Sequence, residues 1–136
     1  ERVLFAGDCF VNGYHPYMAQ ANTRDWLKAL RLIRQMPLDV IVPGHGPLST
    51  KENTRVQSDY IRTARRKIRL QMQAGKSKAE ATTPLVDELL PLFSKPTGRR
   101  DRLQSKIRAG LGKIYDDLRA ENAERERDNR KKANRR

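Results

Sequence analysis

A carboxylate and an imidazole stand at the ends of two apolar runs that predict β-strands. Asp8 follows the apolar run 2–6, and His45 lies in a glycine-flanked turn after the β-branched run 40–42. Carboxylate oxygens and imidazole nitrogens both ligate zinc, and the glycines let the backbone pass close to a ligand. The two residues are therefore candidate metal ligands, provided that the fold brings them together.

The segment between the two runs predicts how this pair meets. Apolar residues recur at helical spacing from about Asn22 to Met36, with Asn22 or Thr23 as the cap. Strand, helix and strand make a parallel crossover unit, whose strands end at one edge of the sheet. We expect Gly7-Asp8 to close the first strand and Pro43, which lacks an N–H, to end the second. Asp8 and His45 should then be neighbours in space.

The loop after Asp8 carries further candidates for a site. Tyr14 and His15 are polar aromatic residues beside the predicted metal edge, so both are candidate substrate-binding residues, and His15 is also a candidate proton shuttle. The alternative for His15 is simple packing on Pro16 and Tyr17. Cys9 should point to the opposite face of the extended chain from Asp8, which predicts a buried, inert thiol.

These residues carry a resemblance to a known family. Leu4-Phe5-Ala6-Gly7-Asp8, a helix, and then Val42-Pro43-Gly44-His45-Gly46-Pro47 resemble the carboxyl-terminal half of metallo-β-lactamase-fold hydrolases. The resemblance covers roughly the first 50 residues and, less firmly, the helices to about Thr82. It implies an αββα sandwich in which Asp8 bridges or ligates two zinc ions and His45 is the last ligand of the second zinc. Other divalent metals are possible.

The same resemblance implies a reaction and a missing part. In the family, a metal-activated hydroxide attacks an ester, thioester, lactone, lactam or phosphodiester in a small-molecule substrate. The family motif His-x-His-x-Asp-His is not found here, since His15 and His45 are the only histidines. We expect a carboxyl-terminal fragment that is inactive alone, has no catalytic residue of its own, and pairs with an N-terminal half or with itself.

Charge divides the chain into a near-neutral part and a basic part. The net charge is +13, of which residues 1–50 contribute only +1. We predict a strand-helix-strand portion over 1–50, a helical extension over 51–120 and a charged tail over 121–136. A basic helical module that binds nucleic acid or a protein partner is the alternative function. Because the basic segment has few aromatics for stacking bases, we expect weak, nonspecific nucleic-acid binding at most.

Capping signals and apolar stripes predict the helices of the basic part. Capping boxes at Ser49–Glu52 and Ser77–Glu80 open a long and a short helix, and Thr83-Pro84 opens another. A loop over 95–98 precedes a last long helix from about Arg99. Residues 121–136 have no apolar side chain larger than alanine, so they extend this helix into solvent or are disordered, and deleting them should leave stability nearly unchanged.

The composition disfavours a membrane-spanning protein and a disulfide-bonded protein. No apolar run approaches the roughly 20 residues that span a bilayer, so no transmembrane segment is predicted. The single cysteine cannot form an intrachain disulfide and gives no sign of an oxidising compartment. A cytoplasmic location is favoured, and a periplasmic or secreted one stays open because upstream sequence could hold a signal peptide.

Overall fold

Two parallel strands and four helices are found in the described residues of this mixed α/β structure, which is 67% helical. The computed structural model describes residues 2–93 and 100–134. The elements are β1 (Val3–Val11), α1 (Thr23–Gln35), β2 (Val40–His45), α2 (Thr54–Gln73), α3 (Lys78–Leu89) and α4 (Arg100–Ala133). Short 3-10 turns occupy Lys51–Asn53 and Leu90–Leu92. The α/β class predicted from the sequence is confirmed.

β1 and β2 pair in parallel, with Leu4 opposite Ile41. Ile41 is fully buried beneath the helices. Both strands run further than the sequence suggested, since β1 continues past Gly7-Asp8 and β2 continues through Pro43. The predicted strand ends at these positions were wrong. The ladder shifts register around Gly7, and there the missing N–H of Pro43 is tolerated because pairing is already irregular.

Helix α1 connects the strands and begins where its cap predicts. The Asn22 side chain accepts a hydrogen bond from the backbone N–H of Asp25 at 3.1 Å. Leu30 and Ile33 are buried, which confirms the predicted apolar face. Trp26 donates its indole N–H to the carbonyl of Cys9 at 2.6 Å, so the helix is also tied to β1 through a polar contact.

Helix α2 lies at the centre of the helical layer, and its start differs from the prediction. Ile61, Ala64 and Ile68 are fully buried. Ser49 does not cap this helix, because its backbone pairs with Ile41 through two hydrogen bonds of 2.8 and 3.0 Å beside β2. The Ser49–Glu52 capping box was therefore a wrong prediction. Pairing with the sheet holds Ser49, and the first α-helical residue is Thr54.

Helix α3 is continuous where the sequence suggested two helices. The capping box of Ser77 and Glu80 is confirmed. Pro84 lies inside the helix, so the predicted new start at Thr83-Pro84 was wrong. The cost of one lost backbone hydrogen bond is offset by the burial of Leu85 and Leu89 along the same face. The predicted loop over 95–98 lies outside the described residues.

Helix α4 packs one face on the core and continues to Ala133. Its predicted apolar stripe is confirmed, with Ile107, Leu111, Ile114 and Leu118 buried. Gly110 allows close approach, because a Cβ there would stand 3.0 Å from the Cβ of Met18. The predicted tail does not start free of the core at residue 121, since the carboxylate of Glu121 lies 2.8 Å from the guanidinium of the buried Arg65.

One face of the two-stranded sheet carries exposed apolar side chains. Phe5 is 78% exposed and Val3 is 39% exposed, whereas Leu4 between them packs against the core. Within the described residues, β1 has β2 as its one strand neighbour. Large exposed apolar side chains on a sheet face with a free strand edge are typical of a surface that another element covers.

Candidate metal centre

The paired strands bring Asp8 and His45 together. The Nε2 atom of His45 lies 3.3 Å from the Oδ1 atom of Asp8. The His45 side chain is 64% exposed and the Asp8 side chain is 82% exposed, so both face solvent. His45 is the last residue of β2, whereas Asp8 lies inside β1, in the irregular stretch where the register shifts between Gly7, paired with Pro43, and Val11, paired with His45.

Two glycines allow this close approach of the strands. A Cβ on Gly44 would overlap the Asp8 carboxylate and lie 2.6 Å from the carbonyl carbon of Gly7. Gly46 has a φ of +95°, and a Cβ there would overlap the carbonyl oxygen of Asn12. The backbone N–H of Asn12 donates to the His45 carbonyl at 2.9 Å, which fixes the turn. Both glycines are therefore steric requirements of the site.

Replacing Gly46 by alanine is expected to lower the free energy of unfolding by about 2 kcal/mol. The alanine would have to adopt a left-handed backbone conformation, and its Cβ would overlap the carbonyl oxygen of Asn12. Gly13→Ala is the matched control. Gly13 also has a positive φ, but a Cβ there meets nothing within 4 Å. The control should cost only about 1 kcal/mol. Equal losses for the two variants in chemical denaturation would contradict the close approach at Gly46.

The spacing of the two donor atoms fits zinc. Bonds of about 2.0–2.1 Å in a tetrahedral arrangement separate two ligand atoms by about 3.3 Å, which is the separation found between His45 and Asp8. Among residues 2–93 and 100–134, no group of three or more His, Cys, Asp or Glu side chains could hold a metal. A catalytic zinc usually has three protein ligands and one open position. This pair is therefore suited to part of a metal centre.

His15 is held by hydrogen bonds at both ring nitrogens. Its Nδ1 atom lies 3.0 Å from the Tyr60 hydroxyl and its Nε2 atom lies 3.2 Å from the Leu90 carbonyl. Because a carbonyl only accepts, Nε2 carries the proton and the Tyr60 hydroxyl donates to Nδ1. Burial lowers the pKa of His15, which favours this neutral form. The ring also packs edge-on to Tyr60 and Phe93, two partners that the sequence did not predict.

The other predicted site residues lie around one cavity of about 750 Å³. The Tyr14 ring lies 6.1 Å from the His45 ring, and both residues line this cavity, as does His15. Cys9 also lines it, but its half-buried side chain packs against the hydrophobic core while Asp8 is exposed, as the alternation of the extended chain predicted. Burial raises the pKa of the Cys9 thiol, which keeps the thiol protonated and unreactive.

Two positioning residues were not found from the sequence. The Cys9 carbonyl, next to Asp8, accepts hydrogen bonds from Trp26 at 2.6 Å and from the Gln57 amide at 3.0 Å. The same buried Gln57 accepts from the backbone N–H of Val11 at 2.9 Å. These contacts fix the strand segment that presents Asp8. No sequence signal marks Gln57, since it is one polar residue within a helix rich in polar residues.

Comparison of the chain with family models, with curated proteins and with solved structures gave no match. None of the helices in the part of the chain that the structure describes is long and apolar enough to cross a bilayer. The geometry of Asp8, His45 and the cavity beside them is therefore the evidence that bears on function.

Proposed function

We propose that this chain is the carboxyl-terminal part of a metallo-β-lactamase-fold zinc hydrolase, with Asp8 and His45 as two of its metal ligands. The observation that carries the proposal is the 3.3 Å separation of their donor atoms, at the end of β2 and the irregular part of β1. The ordered motifs Gly7-Asp8 and Gly44-His45-Gly46 support the same assignment. Both side chains face solvent, where further ligands from another segment can reach the same ion.

Each residue of this site has a distinct task in the proposal. Asp8 and His45 hold the metal, and the glycines keep the two strands close enough for both to reach it. When bound, zinc supplies an activated water and polarises the group under attack. Trp26 and Gln57 keep the Asp8 segment in place through the Cys9 carbonyl. His15 contributes a neutral ring to the cavity wall, and its contact with substrate stays a prediction, as does that of Tyr14.

The bare sheet face supports the αββα sandwich that the family fold requires. Phe5 and Val3 stand on the face opposite Leu4, and β1 offers an unpaired edge within the described residues. An upstream half would cover this face and bring the remaining ligands. Self-association through Phe5 is the other way to cover it. The proposal is tested by the zinc content of the chain with and without such a half, in wild type and in variants of Asp8 and His45.

A cluster of arginines favours a second candidate function, the binding of nucleic acid. Burial and the nearby cations of Arg62, Arg55 and Arg31 lower the pKa of Arg34. The Arg34 guanidinium is held in place by the hydroxyls of Thr54 at 3.2 Å and of Ser58 at 2.9 Å. These four arginines of α1 and α2 lie near one another, with Arg62 also 3.4 Å from Asp59, and such a cluster of cations suits contact with a phosphate backbone.

Replacing Arg31, Arg55 and Arg62 together by serine is expected to weaken the binding of single-stranded nucleic acid and to flatten its salt dependence. Each phosphate contact that is lost should reduce the slope of log K against log salt by about 0.7. The control removes the same charge from the end of α4, with Arg130, Lys131 and Lys132 replaced by serine. Fluorescence anisotropy at several salt concentrations measures both. Identical slopes for the two triple variants would show that net charge alone attracts the strand.

A further inference from the structure

The cavity beside Asp8 and His45 is closed on one side by the helical extension. Phe93 and three residues of α4, namely Leu103, Lys106 and Ile107, line its wall. The cavity therefore joins the candidate metal centre to a helix that begins 55 positions after His45 in the sequence. Its volume of about 750 Å³ lies within the usual range for sites that bind small molecules.

The lining of the cavity is largely aromatic and aliphatic. Trp26, Tyr17, Phe93 and Leu103 present flat or branched apolar surface to the same space. Tyr17 is 49% exposed even though it is a large aromatic residue. A ligand that buries these side chains would need an apolar body, such as a phenyl ring or a short acyl chain.

The lining carries two carboxylates, Asp8 and Asp25, on the β1 and α1 side, and one cation, Lys106, on the α4 side. Asp25 already pairs with Lys28 at 2.8 Å, and both ring nitrogens of His15 are engaged. Lys106 lines the cavity and forms no ion pair within residues 2–93 and 100–134. It is the one lysine or arginine among the described lining residues, so its ammonium group can pair with an anionic group of a ligand. An ammonium carries three donors and pairs well with a carboxylate.

We propose that this cavity binds small molecules that combine an apolar body with a carboxylate, and that Lys106 pairs with the carboxylate. The substrate class of the proposed hydrolase would then be acidic esters, thioesters or related acyl compounds, an assignment that rests on the proposed function. In this arrangement the helical extension determines specificity, because α4 supplies both Lys106 and part of the apolar wall.

Binding can be measured on the 136-residue chain itself, because Trp26 is its only tryptophan and lines the cavity. The probes are phenylbutyrate and its uncharged amide, phenylbutyramide, in buffer that contains a metal chelator. The fluorescence of Trp26 and the NMR signal of its indole N–H report occupancy. We expect phenylbutyrate to bind about fivefold more tightly than the amide, the gain typical of one partly solvated ion pair.

Variants of Lys106 test the assignment of the charge. Lys106→Met keeps an apolar side chain and should abolish the preference for the acid, whereas Lys106→Arg should retain it. Lys131→Met removes a charge from the same helix away from the cavity lining and should change nothing. Ala29→Phe adds bulk to the cavity wall and should weaken both probes, with circular dichroism confirming that each variant is folded.

Three outcomes would overturn the proposal. The first is equal affinity of wild type for the acid and the amide, and the second is an unchanged acid preference in Lys106→Met. The third is tighter binding of phenylbutylamine than of phenylbutyrate, which would mean that the carboxylates of Asp8 and Asp25 select the charge of the ligand. All of these measurements exclude metal. Failure of zinc binding in the intact protein would therefore remove the proposed hydrolase without altering the probe results.

Discussion

Replacing Asp8 or His45 by alanine is expected to lower the zinc content of the intact protein in two different ways. Joined to an upstream half that carries the family's histidine motif, the wild-type chain should bind about two zinc ions. His45→Ala should reduce this to about one ion, because the resemblance gives His45 to the second zinc alone. Asp8→Ala should impair both sites, since a bridging carboxylate serves both. Metal analysis of the purified proteins measures the effect.

The isolated chain sets the baseline for this experiment. Two exposed ligands hold an ion weakly, so the 136-residue chain should retain little zinc and hydrolyse nothing at a useful rate. It should also self-associate through the bare sheet face around Phe5, which light scattering would detect. Asp59→Ala in the intact protein is the matched control, because Asp59 is an exposed carboxylate outside the cavity lining. Equal zinc content in wild type, Asp8→Ala and His45→Ala would remove the metallohydrolase assignment.

Glu121→Ala is expected to lower the free energy of unfolding by about 3 kcal/mol, because it leaves a buried guanidinium without its partner. Arg65 is 8% exposed, and its Nη2 atom contacts both carboxylate oxygens of Glu121, at 2.8 and 2.9 Å. Its Nη1 atom donates to the buried hydroxyl of Thr23 at 2.8 Å. Arg65 of α2 therefore links Thr23, the first residue of α1, to Glu121 of α4 through hydrogen bonds. The melting temperature should fall by roughly 10 °C.

The matched control for Glu121→Ala lies one turn later on the same helix. Glu124 is exposed, so Glu124→Ala should change stability by no more than about 0.5 kcal/mol. Truncation after Ala120 should reproduce the loss, whereas truncation after Ala123 should not. Replacing both partners, as Arg65→Met with Glu121→Leu, should recover most of the stability, since no buried charge then remains unpaired. Equal effects of Glu121→Ala and Glu124→Ala would mean that the pair is not important for stability.

This pair revises the stability expected of the carboxyl-terminal segment. The sequence of 121–136 contains no large apolar side chain, which predicted that its deletion would be nearly neutral. The effect of the deletion stays a prediction, but the contact of Glu121 with Arg65 changes the expected result. Composition reports what can be buried by the hydrophobic effect and not which carboxylate meets a distant arginine. Arg65 and Glu121 are 56 positions apart, and nothing local distinguishes them from the many other charges of the chain.

Local signals in the sequence predicted most helices correctly. The cap at Asn22, the capping box at Ser77 and the stripe from Leu103 to Leu118 all depend on residues a few positions apart. Such patterns act through backbone hydrogen bonds and one-sided burial, which the sequence displays directly. The errors at Ser49 and Pro84 arose where a partner from elsewhere in the fold outweighed the local signal. Ser49 pairs with Ile41, and α3 continues through Pro84 while burying its apolar face.

Local sequence patterns were enough to identify the two candidate ligands and to predict that they lie close together. Asp8 and His45 follow from residue type, and the crossover unit follows from periodicity. The folded structure was needed for their 3.3 Å separation, the hydrogen bonds of His15 and the approach of Lys106 on α4 to the same cavity. The physical reason is that these contacts join residues far apart in the sequence: Asp8 and His45 are 37 positions apart, and His15 and Leu90 are 75 positions apart. Whether such residues meet depends on how the helices pack. Local propensity cannot specify that packing.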